Sequence, residues 1–570
     1  MTRLRFLTAG ESHGPALVGI LDGLPAGVPL LAAHFQRDLQ RRKQGYGRGG
    51  RMAIEPETPR ILAGVRHGLT LGTPLAVLIE NADHLKAWST RMAVEPVSEP
   101  GKLVTLPRPG HADLTGSIKF GHRDLRNSLE RASARETAMR VALAAAARRL
   151  LDELDIRVGS FVTAIGTAHA REELPAALAL LAAEDAEALA LLADGSPVRC
   201  LDKASEEALR VAIEEAQARR DTIGGTFEVR VTGLPPGLGS YTQQDLRLDG
   251  LLARALGSIP AIKAVELGDG WRAATLYGSQ VHDPMGRAGG GITRDTNHAG
   301  GLEGGVTNGE PLVVRAAMKP IATVPAALRS VDLMTGLGDE AHVERSDTCA
   351  VPAAAVVGEA VVALALADAL LEKLGGDSLD ELHSALRLAW RRARPLEGHV
   401  WLCGLPGAGK STLAPLLAEL LGIPCIQLDE MIEQAAGLSV PEIFARFGEA
   451  GFREREAQAV REAARGPRSV ISLGGGALGT RAVRLAVRKT GHAVWLRAPV
   501  SLCAERAASG RPLLGGEPLA KLTALAAERE PLYARLADAV VEVQPGLTPR
   551  QVASQAEAAV QALEAARAHA

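Results

Sequence analysis

The run Gly404-Leu405-Pro406-Gly407-Ala408-Gly409-Lys410-Ser411 stands directly after the apolar stretch HVWLC and directly before TLAPLLAELL. Glycines at this spacing, a Lys-Ser pair and a strand-like and helix-like frame together specify a phosphate-binding loop between a strand and a helix. The glycines would let backbone N–H groups converge on phosphate oxygens, Lys410 would reach the β and γ phosphates, and the Ser411 hydroxyl would ligate Mg²⁺. A ligand-free glycine turn explains the loop but not the Lys-Ser pair within these flanks. From His399 onward, strand, glycine loop and helix repeat, which is the texture of an α/β domain with a parallel sheet. The last helix has a start signal: Thr548 as N-cap, Pro549 at the first helical position and Gln551 completing a capping box.

A nucleotide core of about 170 residues leaves most of the 570-residue chain unexplained, so more than one domain is expected. The earlier part is glycine-rich, with short β-branched runs at 226–232 and 311–316 and helical patterns at 123–151 and 206–219. That mixture reads as α+β. A final helix over 377–393 and a breaker and linker at 394–398 divide the chain into 1–376, 377–397 and 398–570. Lys plus Arg (64) nearly cancels Asp plus Glu (66), which removes the bulk electrostatic case for nucleic-acid or membrane-surface binding. The basic loop from Arg37 to Arg51 is a local RNA candidate, but it lacks interleaved aromatics. The tract 351–371 is apolar and long, yet Glu359 and Asp368 interrupt it, so it reads as a buried helix rather than a membrane span. No signal-peptide pattern opens the chain, and five scattered cysteines without CxxC spacing point to reduced, buried thiols in the cytoplasm.

Within the nucleotide domain, Asp429 follows the second strand and is placed to accept a hydroxyl proton. Arg453, Arg529 and the turn Gly474-Gly475-Gly476 offer two guanidiniums and a close backbone, suited to a carboxylate-bearing acceptor. A small-molecule kinase is therefore favoured. The blocks LDEMIEQAAG, IFARFGEAGFREREAQAV, SLGGGAL, GRPLL and EREPLYARLA, in that order, resemble shikimate kinase. The resemblance implies that Asp429, Arg453, Gly474, Gly475, Gly476 and Arg529 bind shikimate, that Gly407, Ala408, Gly409, Lys410, Ser411 and Thr412 hold ATP, that Arg506 lies against it and that Arg511 sits on a lid. It also exposes a departure. Where the family usually has a carboxylate that helps hold hydrated Mg²⁺, this chain has Gln427, so weaker Mg²⁺ affinity is expected.

In the larger part, His13 in GESHG and His111 in RPGHAD sit beside glycines, where backbone can approach a ligand closely. The blocks TAGESHGPALVGILDGLPAG, QRRKQGYGRGGRM, RPGHADLTGSIKFG, RDLRNSLERASARETAMRVA, TNHAGGLEGGVTNGEP, AMKPIAT and ERSDTCAVPAA stand in the order of chorismate synthase, and residues 1 to about 376 resemble that family. The resemblance implies a β-α-β sandwich that converts 5-enolpyruvylshikimate 3-phosphate to chorismate with reduced FMN. His13 would protonate the leaving phosphate, His111 would serve the flavin, and Asp347 would help deprotonate it. Arg131, Ala132, Ser133, Pro260, Ala261, Gly304, Lys319, Pro320, Ile321, Ala322, Thr323 and Arg345 would contact FMN, and Arg42 and Arg48 would lie towards an NADPH reductant. A homotetramer through this domain is implied as well. The whole reads as a bifunctional enzyme with small-molecule substrates and no nucleic-acid or membrane partner. The rival is a synthase carrying a catalytically silent nucleotide-binding module.

Overall fold

The computed structural model describes residues 3–49, 56–98, 101–133, 135–171, 174–288, 291–344, 346–394, 397–507 and 518–568. It divides into two compact units, Met1–His282 with Asn297–Leu382, and Asp283–Thr296 with His383–Ala570.

The first unit is a β-α-β sandwich. One sheet runs Arg5–Ala9, Ala16–Asp22, Leu75–Glu80, Pro59–Ala63, and another runs Ile262–Leu267, Leu312–Met318, Gly225–Thr232, Arg157–Ile165, Ala168–His169. Helices Ala32–Lys43, Glu136–Glu153 and Val351–Leu374 pack together and against these strands. Glu136–Glu153 is buried on most sides, Arg148 and Asp152 included. The apolar tract is the helix Val351–Leu374, buried inside the unit along most of its length. Glu359 explains why: its carboxylate has no solvent exposure and accepts from Arg41 Nη1 (2.6 Å), Arg41 Nη2 (2.9 Å), Arg148 Nη2 (2.5 Å) and Ser160 Oγ (2.7 Å). Burial alone would raise its pKa, but Arg41 and Arg148 outweigh that and hold it well below the carboxylate range.

The stretch 123–151 is not one helix. It forms Arg126–Leu129 and Glu136–Glu153 with a break between them, where the Glu130 carbonyl accepts from Ser12 N (3.0 Å). The other expected helices appear as Lys203–Ala218 and Leu379–Ala393.

The second unit has a five-stranded parallel sheet in the order Cys425–Gln427, Val470–Ser472, His399–Cys403, Gly491–Arg497, Ala539–Glu542. His399–Cys403 is buried along its whole length, as its unbroken apolar character requires at the centre of such a sheet. The phosphate loop follows that central strand and opens the helix Lys410–Leu421, which packs on the C-terminal helix Pro549–Ala568. Thr548 N donates to Gln551 Oε1 (2.9 Å), as the capping signal requires. Arg394 is buried in this unit. Its Nε donates to Arg488 O (2.6 Å) and its Nη1 pairs with buried Asp538. On the helix Leu379–Ala393, which ends just before it, Arg387 donates to Ala537 O (3.1 Å) and Arg391 to Leu563 O (3.2 Å). Four cysteines are buried, but Cys425 is exposed, because it begins the edge strand, which has a neighbour on one side only.

Candidate functional sites

In the first unit the strand Arg5–Ala9 ends at Gly10, whose φ of 106° turns the chain into the loop carrying His13. Asn81 pins that loop, with Nδ2 donating to Glu11 O (3.1 Å) and Gly14 O (2.7 Å). His13 is buried. Its Nδ1 lies 2.9 Å from Oε1 and 2.9 Å from Oε2 of Glu130, and its backbone N–H donates to Glu130 Oε2 (2.9 Å). Arg126 Nη1 donates to the same carboxylate (2.9 Å) and approaches Glu344 Oε1 (3.4 Å). The His13 ring stacks on Trp88 with centroids 3.8 Å apart.

His111 is built alike. Its Nδ1 lies 2.6 Å from Oδ1 of buried Asp113, which also accepts from Arg108 Nε (2.8 Å) and Arg108 N (3.0 Å). Burial would raise the Asp113 pKa, but the bonds from His111 and Arg108 win and hold it far below the usual range. Arg108 Nη1 reaches Thr323 Oγ1 (2.7 Å), and Lys319 Nζ donates to Gly110 O (2.8 Å), so the segment from Lys319 through Pro320, Ile321 and Ala322 to Thr323 is tied to the His111 turn. Lys319 N donates to Ala261 O (2.9 Å), which brings the Pro260-Ala261 turn alongside. Burial and then Lys263 push the Lys319 ammonium pKa down. Glu344 joins the two histidine clusters. Burial opposes its ionisation, yet His342, Arg126 and Arg108 bring its pKa to about 2. A turn where an added Cβ would stand 3.1 Å from Lys319 Nζ, with Lys263 and Arg108 nearby, fits an anionic cofactor such as a flavin phosphate.

Asp347 accepts from Arg48 Nη1 (2.6 Å) and Gly49 N (2.7 Å). Burial lowers the Arg48 pKa, with Asp347 opposing. Arg42 donates to Thr137 Oγ1 (3.2 Å) and to Glu57 Oε1 (3.0 Å), and Glu57 also takes Arg135 Nη1 (2.6 Å). Arg135 Nη2 in turn donates to Asn81 Oδ1 (2.9 Å), so Arg42, Glu57, Arg135 and Asn81 lead to the His13 loop. Arg42 and Arg48 thus pair with protein carboxylates. Arg131 donates to Thr8 O (2.8 Å) and Gly10 O (3.2 Å) and lines an open cavity of about 1010 Å³ with Glu136 and Arg140. Ala132 N donates to Ser128 O (3.1 Å), Ser133 Oγ accepts from Arg135 N (3.4 Å), and Gly304 turns a separate hairpin beside Tyr241. Arg345 lies outside the described residues.

In the second unit Gly407 (φ 87°) and Gly409 (φ 95°) shape the loop as its sequence requires. Lys410 Nζ donates to Gly404 O (2.8 Å) and Leu405 O (3.1 Å). Ser411 and Thr412 open the helix, exposed. Ala408, Gly409, Thr412, Arg506 and Val543 line a cavity of about 200 Å³. A convergent backbone, a lysine and a neighbouring guanidinium fit a nucleotide triphosphate.

The acceptor residues converge beside this loop. An added Cβ on Gly475 would meet Pro406 Cδ at 2.9 Å, so the triple-glycine turn rests on the phosphate loop. On Gly476 it would lie 2.2 Å from Arg453 Nη2, and on Gly474 2.4 Å from Glu456 Oε1 and 3.8 Å from Asp429 Oδ1. Arg453 Nη1 donates to Glu456 Oε2 (2.7 Å), and Tyr533 Oη to Gly475 O (2.6 Å). Burial, reinforced by Asp429 and opposed by Arg453 and Arg529, raises the Glu456 pKa. Gly448 (φ 68°) breaks the helix before Glu449, and the segment after the break carries Arg453 and Glu456. Gln427 Nε2 donates to Ser411 O (2.8 Å), leaving Oε1 as its free acceptor. Arg511 lies outside the described residues. Sequence reasoning missed Glu130, Glu57, Asn81, Trp88, Asp113 and Glu456. Of these only Asp113, two residues past His111 in a glycine turn, carries a local signal.

Residues 4–371 match the family model described as chorismate synthase, and residues 406–561 the one described as shikimate kinase. The chorismate synthase of Pelobacter propionicus is 52% identical over 402 residues, covering 69% of this chain and 100% of that protein. That of Rubrobacter xylanophilus is 53% identical over 390 residues, covering 68% and 97%. A crystal structure of chorismate synthase aligns with TM-score 0.55 and 42% identity over 68% of this chain and 99% of its own. A shikimate kinase from Acinetobacter baumannii in complex with shikimate is 35% identical over 29% of this chain and 93% of its own, with TM-score 0.28.

Proposed function

The chain belongs to the chorismate synthase family and carries a shikimate kinase domain behind it, and from that premise we propose how its residues divide the work. It is a bifunctional enzyme of aromatic biosynthesis, a phosphate lyase and a phosphotransferase in one chain.

In the synthase, 5-enolpyruvylshikimate 3-phosphate loses phosphate to become chorismate, and reduced FMN supplies the electron chemistry without net oxidation. His13 gives its Nε2 proton to the leaving phosphate. His111 would face the flavin with Nε2, and Asp347, paired with Arg48, would be the group to hold a proton there. One observation carries this reading: each histidine has Nδ1 on a buried carboxylate, Glu130 or Asp113, which leaves Nε2 for a ligand. NADPH on the side of Arg42 and Arg48 is the proposed reductant. A homotetramer is proposed because Leu7 on the edge strand is 75% exposed beside Phe6 and Ile20. Free thiols, four of them buried, support a cytoplasmic setting.

In the kinase, Asp429 accepts the proton of the shikimate hydroxyl as it attacks the γ-phosphate. Arg453 and Arg529 bind the carboxylate, and Lys410 and Arg506 stabilise charge on the phosphates. Ser411 would hold Mg²⁺, and Gln427 Oε1 would offer only a neutral acceptor to a metal-bound water, which would lower Mg²⁺ affinity. The tie from Gln427 Nε2 to Ser411 O favours the second reading, a silent nucleotide-binding module.

Shikimate-dependent ADP release titrated with Mg²⁺, run beside chorismate formation with reduced FMN, separates the readings. Asp429→Ala should abolish only the kinase, and His111→Ala only the synthase. ATP binding without turnover at any Mg²⁺ concentration would select the silent module. NADPH oxidation coupled to chorismate formation, and light scattering at micromolar protein, test the reductant and the tetramer.

A further inference from the structure

Three features that no local sequence pattern announces meet at His13: a buried carboxylate, a buried guanidinium and a half-buried indole. The Glu130 side chain has no exposure and receives the His13 backbone N–H, Arg126 Nη1 and His13 Nδ1, each at 2.9 Å. A carboxylate with these partners is an acceptor only, so Nδ1 must carry the proton of that bond. Trp88 covers the ring, with centroids 3.8 Å apart and planes 19° apart, and Arg126 also lies over the indole (4.9 Å). His84 Nδ1 lies 2.8 Å from His13 O, fastening the turn His84–Trp88 to the same loop.

We propose that Glu130 and Trp88 are the positioning residues of His13, fixing Nδ1 on a buried carboxylate and the ring face on an indole so that Nε2 alone delivers a proton. The proposal rests on the reading of His13 as the acid that protonates the leaving phosphate. With Nδ1 protonated in both states, Nε2 is loaded only in the imidazolium. Glu130 on one side and the Trp88 face on the other fix the orientation of the ring for that transfer. The proton passes from Nε2 to the phosphate oxygen as the C–O bond breaks with its electron pair on oxygen, and the ring is left neutral with Nδ1–H still on Glu130. The other charged groups around the ring are Arg126 and, behind it, Glu344, with Arg91 over Trp88, His84, and Glu11 two residues upstream. Arg126 is shared between the two carboxylates, with Nη1 2.9 Å from Glu130 Oε1 and 3.4 Å from Glu344 Oε1.

The test is Glu130→Gln in the full-length protein with reduced FMN, reading chorismate formation against pH. Removing the charge but not the shape should cut kcat about 100-fold while KM changes less than about 3-fold. The pH limb that depends on His13 should move, because the charge facing Nδ1 is gone. Glu130→Asp should restore the limb. Trp88→Leu should shift it in the same direction as Glu130→Gln, and Trp88→Phe should leave it close to the parent. FMN binding checks folding, and if Glu130→Gln fails that check, the Trp88 pair is read in the same way. A parental pH profile in folded Glu130→Gln, or in Trp88→Leu, overturns the proposal. Undiminished turnover in His13→Ala sinks the acid reading itself and is a different result.

Discussion

Replacing Arg394 with leucine would show whether the helix Leu379–Ala393 and the residue after it are part of the kinase's stability. The Arg394 and Asp538 side chains are each 1% exposed, and Asp538 Oδ2 also accepts from Ala493 N (3.0 Å). The leucine leaves the carboxylate buried with that amide and takes away the 2.6 Å donor to Arg488 O. Breaking a buried ion pair from one side costs about 3–5 kcal/mol. For a unit of this size each kcal/mol moves Tm by about 2–4 °C, so a fall of about 6–20 °C is expected. Heating full-length protein and then assaying the two activities separately reads it: shikimate-dependent ADP release should fail earlier while chorismate formation keeps its parental profile. Combining Arg394→Leu with Asp538→Asn removes the stranded charge and should recover at least half the loss. Kinase inactivation within about 2 °C of the parent, or equal loss of both activities, would refute the reasoning.

Glu359→Gln should destabilise the synthase unit by about 3–5 kcal/mol, since Arg41 and Arg148 would face a neutral amide in the core. Because the folded Glu359 pKa is depressed, its contribution is present above the unfolded value and fades as pH falls towards the folded one, so calorimetry should show parent and variant converging in acid. Gly476→Ala should push the Arg453 guanidinium aside, raising the KM for shikimate at least about 10-fold with the KM for ATP little changed. Gln427→Asp should make binding of a fluorescent ADP analogue more Mg²⁺-dependent than in the parent; an unchanged dependence would mean that this position does not govern the metal.

Much of this was legible locally. The phosphate loop, the Thr548 cap and the buried helix carrying Glu359 each follow from spacing or pattern within a few residues, because the physics that sets them is local. Partners were not. Glu359 announced that its helix could not face lipid, but Arg41 lies 318 positions away and nothing near either residue names the other. Glu130 looked like one residue of a helix 123–151, and only the turn of its carbonyl towards Ser12 breaks that helix and delivers its carboxylate to His13. Arg394 looked like a linker because a proline follows it, yet a long side chain can be buried whatever the backbone around it does.

The order of strands in the kinase sheet has a consequence for synthesis on the ribosome. His399–Cys403 emerges first but lies in the middle, and the neighbour on one side, Gly491–Arg497, and the edge beyond it, Ala539–Glu542, follow about 90 and 140 residues later. At about 5–20 residues per second, this apolar strand waits roughly 7–30 seconds for its sheet to close. The synthase, lying upstream, is made before that wait begins. A kinase placed first would delay nothing in its own folding but would put its unfinished sheet ahead of a still larger unfolded chain. The present order therefore places the aggregation-prone interval after the synthase segment has been made.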